Sequence, residues 1–167
     1  MPIRTILVPT DFSDSADAAL AWARDAARAF HARIVLLHVI DLPYQWMPVA
    51  GPASIPAPVP ATVVRGIREQ AHASLDARAR RAPEIGRRLL RTGRARAAIV
   101  AAADALRADL IVMGTHGPRG VSRLFIGSVA EYVVRHARVP VTTVRAPDRP
   151  ARRRQQPRSL RSGRVRR

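Results

Sequence analysis

Asp109-Leu110-Ile111-Val112-Met113-Gly114-Thr115-His116-Gly117, followed after nine residues by Gly127-Ser128-Val129, is the stretch that decides the fold. A short, unbroken apolar run that stops at a glycine reads as a strand buried on both faces, and such strands belong to parallel sheets covered by helices. The glycine-bracketed loop then opens a helix that runs to about His136. Three requirements of phosphate binding coincide here. Glycines permit close backbone approach, the loop amides can turn inward, and a helix start offers oriented N–H groups. Ser128 adds a hydroxyl at that start. A single glycine after a strand is ordinarily only a turn, so the ordered set of Gly114, Gly117 and Gly127 carries the argument.

Working outward, the same grammar recurs. Ile3 to Val8 is an apolar run closed by Pro9 and followed by Thr10-Asp11-Phe12-Ser13, a strand entering a turn. Ser13 or Asp14 is the candidate cap of a helix over residues 15–31, where Ala18, Ala19, Trp22, Ala23, Ala26 and Phe30 recur at helical spacing. Arg33 to Val39 is a second buried strand, so the chain opens β-α-β, parallel and right-handed. Asp41 to Thr62 holds six prolines and reads as an extended connection, either a lid or a variable insertion. An amphipathic helix over 63–81 follows, then a weak, edge-like strand at Arg87 to Thr92, a turn at Gly93, an alanine-rich helix over 95–107, the Asp109 to Met113 strand, and a last strand over Val139 to Arg145. Five strands alternating with four helices predict an α/β fold: an open, doubly wound, five-stranded parallel sheet with helices on both faces, Rossmann-like in kind.

Composition bounds the chemistry. With 167 residues the chain is sized for one domain, and 47% hydrophobic but only 4% aromatic content requires a core of Ala, Val, Leu and Ile. There is no cysteine, which excludes thiol chemistry, disulfides and thiolate metal sites. No apolar stretch is long enough to cross a bilayer, and residues 1–30 carry four acids and no signal-like segment, so a cytoplasmic address is expected. The formal charge of +17 arises entirely from arginine, since lysine is absent. Arginine for lysine alongside abundant alanine is also what GC-rich coding produces. Nine arginines and no acid lie beyond Asp148, which leaves 20 arginines against 12 acids in residues 1–148. The domain is placed at residues 1–147 and a disordered, arginine-rich tail at 148–167.

Gly114, Gly117, Gly127 and Ser128 resemble the motif of the nucleotide-binding members of the universal stress protein family: Gly, two residues, Gly, nine residues, Gly, then Ser or Thr. Ile6 to Ser13 is similar to that family's first strand and loop, Leu36 to Val39 to its second strand, Asp109 to Gly114 to its fourth, and Val139 to Val144 to its last. The resemblance covers residues 2–145. It implies a fold of the adenine nucleotide alpha hydrolase-like kind that binds ATP, or ADP or AMP, with or without Mg²⁺. It also implies a homodimer joined through Val139 to Val144. In that arrangement Asp11 lies beside the ribose or adenine, with Pro9, Thr10 and the backbone of Val39 lining the base pocket. Met113, Gly114 and Gly117 approach ribose and phosphates, His116 lies between the first two glycines at the ligand, and Gly127, Ser128 and Val129 hold the phosphate end. The alternative role for Asp11 is a helix-start cap. Arg119 and Arg123 fall inside the loop as candidate phosphate partners or solvated charges, and His38 is expected to pack at a strand end. Arg94 and Arg96 stand where relatives often carry acids.

The expected role is a regulatory or stress-protective module that responds to an adenine nucleotide. A P-loop is excluded because its lysine is absent, and no Ser-His-Asp elbow, His-Glu-x-x-His helix or paired-carboxylate segment occurs. Slow ATP hydrolysis with Mg²⁺ held at Asp11 is one alternative. The other is non-specific nucleic-acid contact through the tail, which lacks the interleaved aromatics of a single-strand platform.

Overall fold

The computed structural model describes residues 2–41, 59–115 and 127–146. Its elements run β1 (Thr5–Pro9), α1 (Asp14–Phe30), β2 (Arg33–Ile40), α2 (Ala61–Ala79), β3 (Ile85–Thr92), α3 (Ala95–Leu106), β4 (Leu110–Gly114), α4 (Ser128–His136) and β5 (Val141–Val144). All strand pairings are parallel, in the order β3-β2-β1-β4-β5. This is the expected α/β architecture. The His116, Gly117, Arg119 and Arg123 positions, most of the proline-rich connection and the tail lie outside the described residues.

Alternation along each strand sorts the core into two layers, because successive side chains of a strand point to opposite faces. Ile6, Val8, Ile34, Leu36, Leu110 and Val112 pack with the alanine-rich face of α1 and with Leu75 of α2. Leu7, Val35, Leu37, Ile111 and Met113 pack on the other face with Ile99 and Ala103 of α3 and Val133 of α4. Both faces of β1 and β4 are therefore covered, which explains their unbroken apolar runs.

Boundaries differ from the sequence reading where local contacts decide them. Ser13, not Asp14, caps α1, its side chain accepting from the Ala16 amide. β3 starts at Ile85, two residues earlier than expected, because the register against β2 slips there: Ile34 faces Ile85 and Val35 already faces Arg87. The extra residue is Gly86, where a Cβ would stand 3.3 Å from Cδ of Arg33. Gly93, at φ +136°, supplies the turn after β3, and its amide donates to the Ile40 carbonyl over 3.0 Å. β5 is shorter than expected, limited to the residues that pair with Ile111 to Gly114.

Asp109 ties the sheet together below β4. Its carboxylate accepts from the amides of Arg4 and Thr5, both at 2.9 Å, and its own amide donates to the Thr5 carbonyl. Those two backbone donors hold the Asp109 carboxyl below its ordinary range.

Candidate functional site at the switch point of the sheet

The strand order places β1 and β4 side by side at the centre, with β1 leading through α1 toward β2 on one side and β4 leading through α4 toward β5 on the other. That is the point where the connections diverge, and it is beyond the carboxyl ends of the strands at such a point that open α/β sheets generally take ligands. The ends of β1 and β4 and the start of α4 come together there. Pro9 ends β1 opposite Leu37, and Gly114 ends β4 opposite Val144. The Thr115 amide donates to the Val144 carbonyl, and the Thr115 carbonyl accepts from the Gly127 amide at 2.7 Å. That last bond holds the start of α4 against the end of β4.

The two helices that begin at this end of the sheet differ at their first turns. In α1, Ser13 closes the turn by accepting from Ala16, and Ser13 is itself held by Asp11, whose Oδ1 accepts from the Ser13 amide (3.0 Å) and hydroxyl (2.5 Å). In α4, the N-cap is Gly127, which has no side chain to cap the turn, and Ser128 is exposed at the first helical position. A helix start without a side-chain acceptor presents amides and a positive dipole end to an anion. The donor set at α4 therefore fits a phosphate, whereas the start of α1 already carries a side-chain cap.

Each candidate can now be placed. Thr10 is buried; its amide donates to Leu37, its Oγ1 accepts from the Phe12 amide (3.0 Å), and its carbonyl accepts from Nδ1 of His38 (2.7 Å). Asp11 is exposed and braces the α1 cap rather than being the cap. Val39, Met113 and Val129 turn their side chains into the second core layer, so what they offer a ligand there is backbone. At Gly114 the requirement for glycine has a source the sequence did not disclose: an added Cβ would lie 2.7 Å from Oγ of Ser15 and 2.8 Å from the Ser15 carbonyl carbon. The start of α1 is pressed against the end of β4, and only a hydrogen fits between them.

Three residues around the β1 loop were not read as a unit from the sequence. Phe12 sits at φ +66°, a left-handed conformation that costs a bulky side chain energy and needs support from its surroundings. Its ring stacks on His38 at 4.3 Å between centroids, and the guanidinium of Arg78 lies 4.8 Å over its centre. Arg78 also donates to Asp17 Oδ1 (2.7 Å) and to the Phe12 carbonyl (3.4 Å). His38, expected only to pack, thus donates Nδ1–H to Thr10 and stacks on Phe12, fixing the loop that carries Asp11. Arg78 is 66 residues from Phe12 along the chain, and no local pattern links them. Among the described residues no group of three or more His, Asp or Glu is placed to hold a metal ion.

An open parallel sheet with a central switch point and helices on both faces defines the class: a doubly wound α/β protein. Comparison with known proteins narrows it. The model of the universal stress protein family matches residues 2–145. The chain is 37% identical to a universal stress protein of Thermus aquaticus, over 85% of this chain and 98% of that one. It is 32% identical to one of Methanocaldococcus jannaschii, over 86% and 83%. Among solved structures, a universal stress protein of Lactobacillus plantarum superposes with a TM-score of 0.67 at 30% identity, covering 87% of this chain and 99% of that one. A universal stress protein solved in complex with cAMP superposes at 0.56 with 25% identity, covering 88% and 100%. The chain belongs to the universal stress protein family.

Proposed function

We propose that this chain binds an adenine nucleotide, ATP or its ADP or AMP relatives, in the crevice beyond β1 and β4, and that occupancy regulates a protective response. The observation that carries the reading is the side-chain-free start of α4, drawn to the end of β4 by the bond from the Gly127 amide to Thr115. In this reading the first-turn amides of α4 and the Ser128 hydroxyl take phosphate, Gly114 and Gly117 give it backbone access, His116 adds a contact, and Pro9, Thr10, Asp11 and the backbone of Val39 border the nucleoside. Met113 and Val129 contribute main chain. The related structure that holds cAMP supports an adenine ligand for the fold. We place the domain boundary at residue 147, and we propose that two copies associate through β5, whose edge carries no charge.

The test is retention. Protein purified without added nucleotide is denatured, and released nucleotide is identified by chromatography and mass spectrometry, alongside calorimetric titration of the emptied protein with ATP, ADP, AMP and cAMP. Gly127→Val, which sets an isopropyl group at the mouth of the α4 amides, is expected to abolish retention while circular dichroism stays unchanged. Equal retention by this variant, or no heat with any of the four nucleotides, overturns the assignment. Phosphate release with and without Mg²⁺ in the same preparation tests hydrolysis.

A further inference from the structure

The excess charge of the domain is concentrated in one structural unit. Residues 61–96, which form α2, β3 and the approach to α3, hold ten arginines against three acids, whereas residues 1–60 hold four against five and residues 97–148 hold six against four. The three acids are largely committed or outnumbered. Glu84 is taken by Arg24 and Arg28 of α1, and Asp76 by Arg88. Arg78 is used internally against Asp17 and Phe12, and Arg96 lies over the Tyr132 ring. What remains on the outermost strand is Arg87 and Arg91, with Arg94 at the turn into α3. All three are exposed, and none pairs with a carboxylate among the described residues.

Their placement makes a row. Arg87 faces Val35 and Arg91 faces Val39 across the β2 pairing, and Leu89 between them packs into the layer beneath α3, so both arginines rise on the α3 side of the sheet at its free edge. At a rise of about 3.3 Å per residue they stand roughly 13 Å apart, about the axial length of four phosphate-to-phosphate steps at ~3.4 Å each. Protection of an edge strand against pairing is satisfied by one or two charges. It does not account for a net excess spread over the whole unit.

We propose that the β3 edge, through Arg87, Arg91 and Arg94, is a docking surface for the phosphate backbone of nucleic acid. Guanidinium forks pair with phosphate oxygens, and an exposed row with no competing carboxylate loses no internal ion pair on binding. Residues 61–96 contain no Phe, Tyr or Trp, so there is no platform on which bases stack. Recognition is therefore of backbone charge, independent of sequence and strongly dependent on salt. This surface lies on the outer strand β3, two strands from β1, and its row ends at Arg91 beside Val39 at the border of the proposed nucleotide site; the experiment is run without nucleotide, so its outcome is separate from that of the nucleotide reading.

The experiment measures binding of the full chain to a labelled DNA duplex of about two helical turns, in two unrelated sequences, across a salt series. Arg87→Gln, Arg91→Gln and Arg94→Gln combined are expected to weaken binding at least ~10-fold near 0.1 M salt and to reduce the slope of log K against log salt by about 3, each single change reducing it by about 1. A charge-matched control, Arg4→Gln, Arg107→Gln and Arg138→Gln, is expected to keep most of the slope, and a full chain with its nine tail arginines changed to Gln is expected to retain the edge-dependent part. Equal loss in the control, an unchanged slope in the edge variant, no binding by the full chain, or binding that vanishes with the tail changes alone overturns the proposal. If the triple variant fails to fold, the single variants, each at an exposed position, decide the matter through their slopes.

Discussion

The sheet ends in two strands of different chemistry. β3 carries Arg87, Arg88 and Arg91 along an exposed edge, whereas β5 reads Val141-Thr142-Thr143-Val144, half-buried throughout and without a charge. Both are end strands with no strand beyond them among the described residues, and the outer side of an end strand is a template for another. On β3 the arginines deny that template and leave a cationic row in its place. On β5 no charged side chain of the strand itself denies it. The two edges also differ in how they are anchored. β3 is strapped to α1 from outside by Glu84, which bonds Arg24 at 3.1 Å and Arg28 at 2.6 Å. β5 is carried by β4, whose last residue is pressed into α1 with no room for a side chain.

The largest effect is expected where the β5 side has no tolerance. Gly114→Val drives its side chain into the backbone of Ser15 and Ala16 and so separates α1 from the strand that carries β5; a loss of about 3 kcal/mol in denaturant unfolding is expected. A loss below the precision of the measurement would mean that α1 moves freely there. Asp109→Ala leaves the amides of Arg4 and Thr5 without their acceptor at the shared root of β1 and β4, for about 2 kcal/mol at neutral pH. Because the folded carboxyl lies below its ordinary range, this stabilisation is complete above the unfolded value near ~3.9 and disappears as pH falls through the lower folded value. Wild type and variant should therefore converge in acid, and a gap that persists below the carboxylate range would contradict the cause given.

The comparison itself is sharpened by exchanging the edges. Thr142→Arg with Thr143→Arg copies the β3 device onto β5 and should weaken self-association at least ~10-fold, about 1.4 kcal/mol, in light scattering over a concentration series. Association that does not respond would place the contact between copies elsewhere. The smallest effect is expected at the strap. Glu84→Gln should cost about 1 kcal/mol, since its partners are partly solvent-exposed. Burial pushes this carboxyl up, and bonds from its own amide, Arg24 and Arg28 more than offset that, leaving it below the ordinary range. The contribution is present at neutral pH and fades as acid titrates the carboxylate.

The element order and the two-layered core were legible in the sequence, because each rests on a local signal. Unbroken apolar runs mark strands buried on both faces, and alanine at helical spacing marks α1. The glycines after β4 marked a candidate site, yet the pattern alone assigned Gly114 to ligand approach. The packed start of α1 supplies a second demand on the same position. Asp11 was legible as a loop carboxylate, but its partner Ser13 emerged only once the turn was folded.

From residue order alone came the parallel α/β architecture and the family, because periodicity and short spacings act within a few residues. Only the tertiary structure decided that Arg78 braces Phe12, that Asp109 closes the roots of β1 and β4, and that Arg87 and Arg91 of the arginine-rich stretch stand on an end strand of the sheet. Those outcomes depend on which strands pair and which edges stay open, and strand pairing joins segments whose separation along the chain leaves no local trace.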